Sequence, residues 1–173
     1  MMKKLTNDEL TNLLETLDDD TEYVRSIVDS LVHQCCDKLD QYVQYVFELL
    51  EGGSNNITDA ELDDIIMTIP ALLYFCGTQQ ELLGLKQDMS DVSKTTDYND
   101  VYAETVGTEG HKKAVATNAV MNKTLVSTIY GSAHDIIKQK VSYATELLQS
   151  AKKVVSRRMS ELELSKVAPT KIN

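Results

Sequence analysis

From Val115 to Leu162 an apolar or small residue returns every three or four positions, through Ala119, Val126, Ile129, Ala133, Ile137, Val141, Ala144, Leu148, Ala151, Val155 and Met159. Polar Asn122 is the one interruption. Only a helix of about 3.6 residues per turn puts such a series on one face. The segment holds no Pro and a single Gly, Gly131, so the spacing predicts one helix from about Glu109 to Leu164. Fifty-odd residues rising 1.5 Å each span on the order of 80 Å, more than a domain of this size is wide. Either Gly131 marks a bend, or the helix projects and shares its seam with other subunits. The Ala-rich seam favours a helical oligomer, ring-like or coiled, with Val126, Ile129, Ala133, Ile137, Val141, Leu148 and Val155 at the subunit contact.

The rest of the chain reads the same way. Seven Gly and two Pro in 173 residues are too few for the many turns of a sheet protein. Thr6-x-x-Glu9 has the form of a capping box, in which each side chain satisfies a backbone donor of the other. It opens a short helix carrying Leu10, Leu13, Leu14 and Leu17, expected to end at Asp18-Asp19-Asp20. A second helix is expected from Thr21 to Glu51, striped by Val24, Ile27, Val28, Leu31, Val32, Cys35, Leu39, Tyr42, Val46 and Leu49, and stopped at Gly52-Gly53. Thr58-x-x-Glu61 is a second capping box, with Ile57 and Leu62 placed to staple across it. Pro70 should start a new helix or kink the old one. The pattern then runs to about Lys94, and residues 95–110 read as a single turn or an ordered loop. Ala168-Pro169-Thr170-Lys171 reads as a frayed tail. The expectation is an all-α helical bundle with a long amphipathic C-terminal helix. One structural domain is expected, in an acidic region 1–56, a central region 57–110 and a basic region 111–173.

Charge is divided unevenly. Residues 1–110 hold 23 Asp/Glu against 6 Lys/Arg, and residues 111–173 hold 4 against 11. The net charge of −10 is therefore −17 in the first part and +7 in the second. Such asymmetry fits an anionic partner for the basic part, or mutual neutralisation within an oligomer. No apolar stretch follows Met1-Met2-Lys3-Lys4, and no run approaches the roughly 18 apolar residues of a membrane span. Cys35, Cys36 and Cys76 form no CxxC pair and read as reduced core thiols. A cytoplasmic protein without a membrane segment is expected.

Catalytic and metal motifs are weak. His33-x-Cys35-Cys36 lacks a second ligand pair at zinc spacing. The Asp/Glu groups at 18–20 and 59–64 lack the closing Glu of a calcium loop and sit where helix starts welcome carboxylates. Ser150-x-x-Lys153 lies inside an amphipathic helix without companion motifs, and there is no Walker loop, HExxH or GxSxG. No enzyme activity, metal or cofactor is expected. The basic residues of the last helix remain. Lys138, Lys140, Lys152, Lys153, Arg157 and Arg158 are placed to neutralise phosphates, and Tyr143, like Tyr130, to stack on bases. The plainer reading of the same residues is a solvated helix face.

Glu104-Thr-Val-Gly-Thr108, followed by Ile129-Tyr-Gly-Ser-Ala-His-Asp-Ile-Ile-Lys138, resembles the C-terminal half of the UvsY family of T4-type phage recombination mediators. The helical run 71–94 before Asp97-Tyr98 is similar in order, so the resemblance covers roughly residues 70–160. The resemblance implies an ATP-independent oligomer that binds single-stranded DNA and helps load a RecA-class recombinase in place of single-strand-binding protein. Two departures stand out: an additional N-terminal helical stretch, and an acidic Leu85-Lys86-Gln87-Asp88-Met89 where the family carries basic residues. They would move DNA contact to the last helix. Two other functions fit the composition: a helical structural or assembly protein of a phage particle, and an acidic DNA mimic that inhibits a basic enzyme.

Overall fold

A computed structural model describes the backbone of residues 7–53 and 56–167, and the side chains of residues 21–53 and 56–166. It is all-α: α1 Asn7–Glu51, α2 Asp59–Glu104, α3 Glu109–Ala119 and α4 Met121–Val167, with no strand among the described residues. Thr6 lies outside the described residues, as do the side chains of Leu10, Leu13, Leu14 and Leu17.

The helix ends follow local chemistry. Gly53 stops α1 at φ +88°, a left-handed conformation that costs Gly least, and its amide donates to the Leu50 carbonyl at 2.8 Å. The capping box at the start of α2 is formed in full. The Thr58 amide donates to Glu61 Oε2 at 2.7 Å, and the Glu61 amide donates to Thr58 Oγ1 at 3.2 Å. Ile57 and Leu62 are both buried, as the staple requires. Thr108 caps α3 by accepting the His111 amide.

Four expectations change. Asp18-Asp19-Asp20 does not end a helix, and α1 is continuous from Asn7 to Glu51. Asp is a poor helix former but, unlike Gly or Pro, breaks nothing sterically. Pro70 does not start a helix: it sits inside α2, on the solvent face, where water can serve the Ile66 carbonyl that Pro70 leaves without an amide. Residues 95–104 belong to α2 as well, not to a loop. The last helix is conversely divided at one residue. Val120, at φ −101° and ψ 6°, donates to the Thr117 carbonyl and separates α3 from α4 while burying its own side chain. Gly131 lies inside α4 with no helix end nearby. A Cβ there would come within 2.8 Å of Gln87 Nε2 on α2, so its smallness serves packing.

The chain forms two compact units, each drawn from all three sequence regions. Unit 1 comprises residues 1–34 and 81–136, and unit 2 comprises residues 35–80 and 137–173. In unit 1, Val28 and Val32 of α1, Leu83 of α2, Ala116 of α3, and Ile129 and Ala133 of α4 are buried. Ser127, the one buried polar side chain among the described residues, donates to Asp91 Oδ1 at 2.9 Å. In unit 2, α1 supplies Cys36, Leu39 and Val46. From α2 come Leu62, Ile65, Ile69 and Cys76, and from α4 Ile137, Ala144, Leu148 and Ala151. The Tyr42 hydroxyl donates to Asp64 at 2.6 Å, tying α1 to α2.

Candidate nucleic-acid interface

The basic residues of the last two helices fall into two sets. In unit 1 they are engaged locally. Lys113 pairs with Glu109 at 2.6 Å, Lys123 with Asp97 and with Ser93 Oγ, and Lys112 lies over the Tyr102 ring at 5.7 Å. Tyr130 is covered in the same way, by the Lys86 ammonium 5.6 Å from its ring centre. These groups have intramolecular work, and Tyr130 is a poor stacking platform.

Unit 2 carries the six cations singled out in the sequence, and the structure separates them. Lys140 reaches both carboxylate oxygens of Asp40 on α1, at 2.7 and 2.8 Å. Arg158 donates from Nη1 to Asp59 and from Nη2 to the Ile57 carbonyl, both at 2.6 Å, and so clasps the start of α2. Both are part-buried struts between helices. Lys138, Lys152, Lys153 and Arg157 are exposed on α4. Among the described residues no ion pair engages the three lysines, and Arg157 meets only Glu161, one turn away at 3.8 Å. From Lys138 to Arg157 the helix rises roughly 28 Å. The exposed Glu146 lies within this span, so the face is mainly rather than purely cationic.

Tyr143, on the same helix, is 66% exposed. It lines a groove of about 300 Å³ together with Leu39, Asp40, Val43, Phe47 and Lys140. Phe47, 56% exposed, was not among the residues singled out in the sequence. The signal was present: Phe47 falls between Val46 and Leu49, off the apolar stripe of α1, where an aromatic has no core to fill. The groove thus has two rings, an apolar floor and a carboxylate–ammonium pair.

The seam residues of α4 are placed differently from one another. Ile129, Ala133, Ile137 and Leu148 are buried within the chain, Val141 and Val155 are half-buried, and Val126 is 42% exposed. Most of the seam is therefore already covered by the chain's own helices. The rationale that it must be shared between subunits does not hold for the four buried positions.

Two of the thiols are core groups of unit 2. Cys36 and Cys76 are buried, Cys76 Sγ donates to the Cys35 carbonyl, and burial beside Cys76 pushes the Cys36 thiol up to about 12. Among the described residues no group of three or more His, Cys, Asp or Glu is placed to hold a metal ion, and no helix is long and apolar enough to cross a membrane. No family model matches the chain, and no curated protein or solved structure is significantly similar to it.

Proposed function

We propose that the protein binds single-stranded nucleic acid without reading its sequence, through unit 2. The exposed cations of α4 would hold phosphates while the Phe47–Tyr143 groove takes a base. The observation that supports this most is the exposure of two aromatic rings on one groove of unit 2, whose α4 also exposes Lys138, Lys152 and Lys153, engaged by no ion pair among the described residues. Single-strand binding combines stacking platforms for bases with cations for the backbone. Base–aromatic stacking is sequence-tolerant, and phosphate neutralisation carries no sequence information.

Charge distribution points to the same unit. By sequence, residues of unit 1 carry 16 Asp/Glu against 8 Lys/Arg, and those of unit 2 carry 11 against 9. The formal charge is −8 in the first and −2 in the second, and three of the carboxylates in unit 2 (Asp40, Asp59 and Glu61) are already tied to a cation or a cap. A polyanion meets less repulsion at unit 2.

The biological role that fits such a binder, given the resemblance to the UvsY family, is that of a phage recombination mediator. It would hold single-stranded DNA as an oligomer and assist loading of a RecA-class recombinase against single-strand-binding protein. The DNA-mimic reading has less support, because Asp91 and Asp97 of unit 1 are bound by Lys94 and Lys123 and so are poorly placed to imitate a phosphate row. A helical component of a phage particle needs no aromatic groove.

Fluorescence anisotropy with a labelled single strand and its duplex tests the proposal. The single strand should bind more tightly at low salt, and Phe47→Ala and Tyr143→Ala should each cost roughly 1–3 kcal/mol. Equal affinity for both forms, unchanged by either substitution, would remove the groove from the mechanism. Absence of any binding would reject the proposal outright.

A further inference from the structure

Within unit 1, α2 is apolar on two sides. One side carries Leu83 into the core. The other exposes Leu82, Leu85, Met89 and Val92, at 46, 56, 64 and 68%. Their spacing of three, four and three residues is that of the a and d positions of a coiled coil, so the four lie in one stripe. Large apolar side chains exposed in a row mark a surface that another helix covers. This stripe is distinct from the α4 seam, most of which the chain covers itself.

The borders of the stripe indicate its occupant. With Leu82 and Met89 at a and with Leu85 and Val92 at d, the g positions are Glu81 and Asp88, and the e positions are Lys86 and Ser93. All three charged borders are exposed, and among the described residues no ion pair engages Glu81, Lys86 or Asp88. In a parallel pair of helices, g of one chain faces the following e of the other. Glu81 then meets Lys86 of the second chain, twice by symmetry, while Asp88 meets neutral Ser93. An antiparallel pair instead sets g against g and e against e, which brings Asp88 to Asp88 and Lys86 to Lys86. The first arrangement is attractive and the second repulsive.

We propose that this face of α2 binds a second copy of the chain, with the two α2 helices parallel and in register about Leu82, Leu85, Met89 and Val92. The proposal stands whether or not unit 2 binds nucleic acid. A stripe covered by a different protein would have no reason to match its own border charges.

Sedimentation equilibrium of the full chain over a micromolar concentration series tests it. Wild type should show reversible association to twice the 19.3 kDa chain mass. Leu85→Glu with Met89→Glu alters two exposed residues, so helicity by circular dichroism should stay at the wild-type level while the mass falls to one chain. Glu81→Lys should weaken association at least tenfold by opposing Lys86, and Glu81→Lys with Lys86→Glu should restore it. A wild-type monomer at 100 µM overturns the proposal, as does an unchanged mass in the Leu85/Met89 variant. Failure of the charge exchange to restore association overturns the parallel register.

Discussion

The Lys140 ammonium on α4 sits between the two carboxylate oxygens of Asp40 on α1, 2.7 and 2.8 Å away. A cation so held is already neutralised, and moving it to a phosphate would strand Asp40. Lys140→Ala should therefore act on stability, by roughly 0.5–1 kcal/mol for a part-exposed pair, and should leave the salt dependence of DNA binding nearly unchanged. Urea denaturation beside a binding series separates the two effects. A loss of salt dependence as large as that of Lys153→Ala would make Lys140 a phosphate ligand after all.

Acid should loosen unit 1 through Asp91. Lys94 and Ser127 hold its carboxyl below its ordinary value of 3.8. A depressed folded value means that its stabilisation is fully present above about 3.8 and disappears as pH falls through the lower folded value. Thermal melts across pH 2–6 should show the decline concentrated at the acid end. Asp91→Asn should flatten that part of the profile, and an unaltered profile would deny the carboxyl any part in it. Ser127→Ala, which removes the donor from α4, should flatten it partly.

Alkali acts on unit 2 with the opposite sign. Burial raises the Cys36 thiol from 9.0 to about 12, and burial with the Asp64 contact raises the Tyr42 phenol from 10.0 to about 12. Both contributions are complete below the unfolded values and fade as pH climbs from 9 towards 12. Melting temperature should fall over that window. At pH 8 a thiol reagent such as iodoacetamide should modify Cys36 far more slowly in the native protein than in urea, since only the thiolate attacks. Equal rates would mean that the fold does not protect it.

Gly77 lies inside α2 with no atom within 4 Å of where a Cβ would stand. Gly77→Ala should stabilise the protein by roughly 0.5–1 kcal/mol through lower backbone freedom in the unfolded chain. Gly131→Ala should gain less or lose, because its methyl must displace the Gln87 amide. Paired chemical melts decide this: equal gains at both sites would mean that Gln87 yields at no cost.

The all-α class and the starts of α2 and α3 could be read from the sequence because they rest on local chemistry. Thr58, Glu61, Ile57 and Leu62 lie within six residues, and their capping box and staple form as spaced. Gly52-Gly53 likewise stops α1. Helix extent was harder to read. Tyr98, Val101 and Tyr102 sit among polar residues, yet Tyr102 and Lys112 cover each other and α2 carries through to Glu104. The Val120 break has no Gly or Pro to announce it. At the candidate site the limit was distance along the chain. Lys140 and Arg158 resemble Lys138 and Arg157 by type and spacing, and only partners 100 and 99 residues away make them struts.

The salt dependence of single-strand binding tests the central proposal most directly. Each phosphate neutralised on a single strand contributes about −0.7 to the slope of log affinity against log salt. Wild type is expected to show a steep negative slope. Changing Lys138, Lys152, Lys153 and Arg157 together to Gln should make it shallower by roughly three units per chain engaged. Helicity should be unchanged, because all four side chains are exposed. An affinity that ignores salt in wild type, or a slope that survives the fourfold change, would contradict phosphate binding by α4.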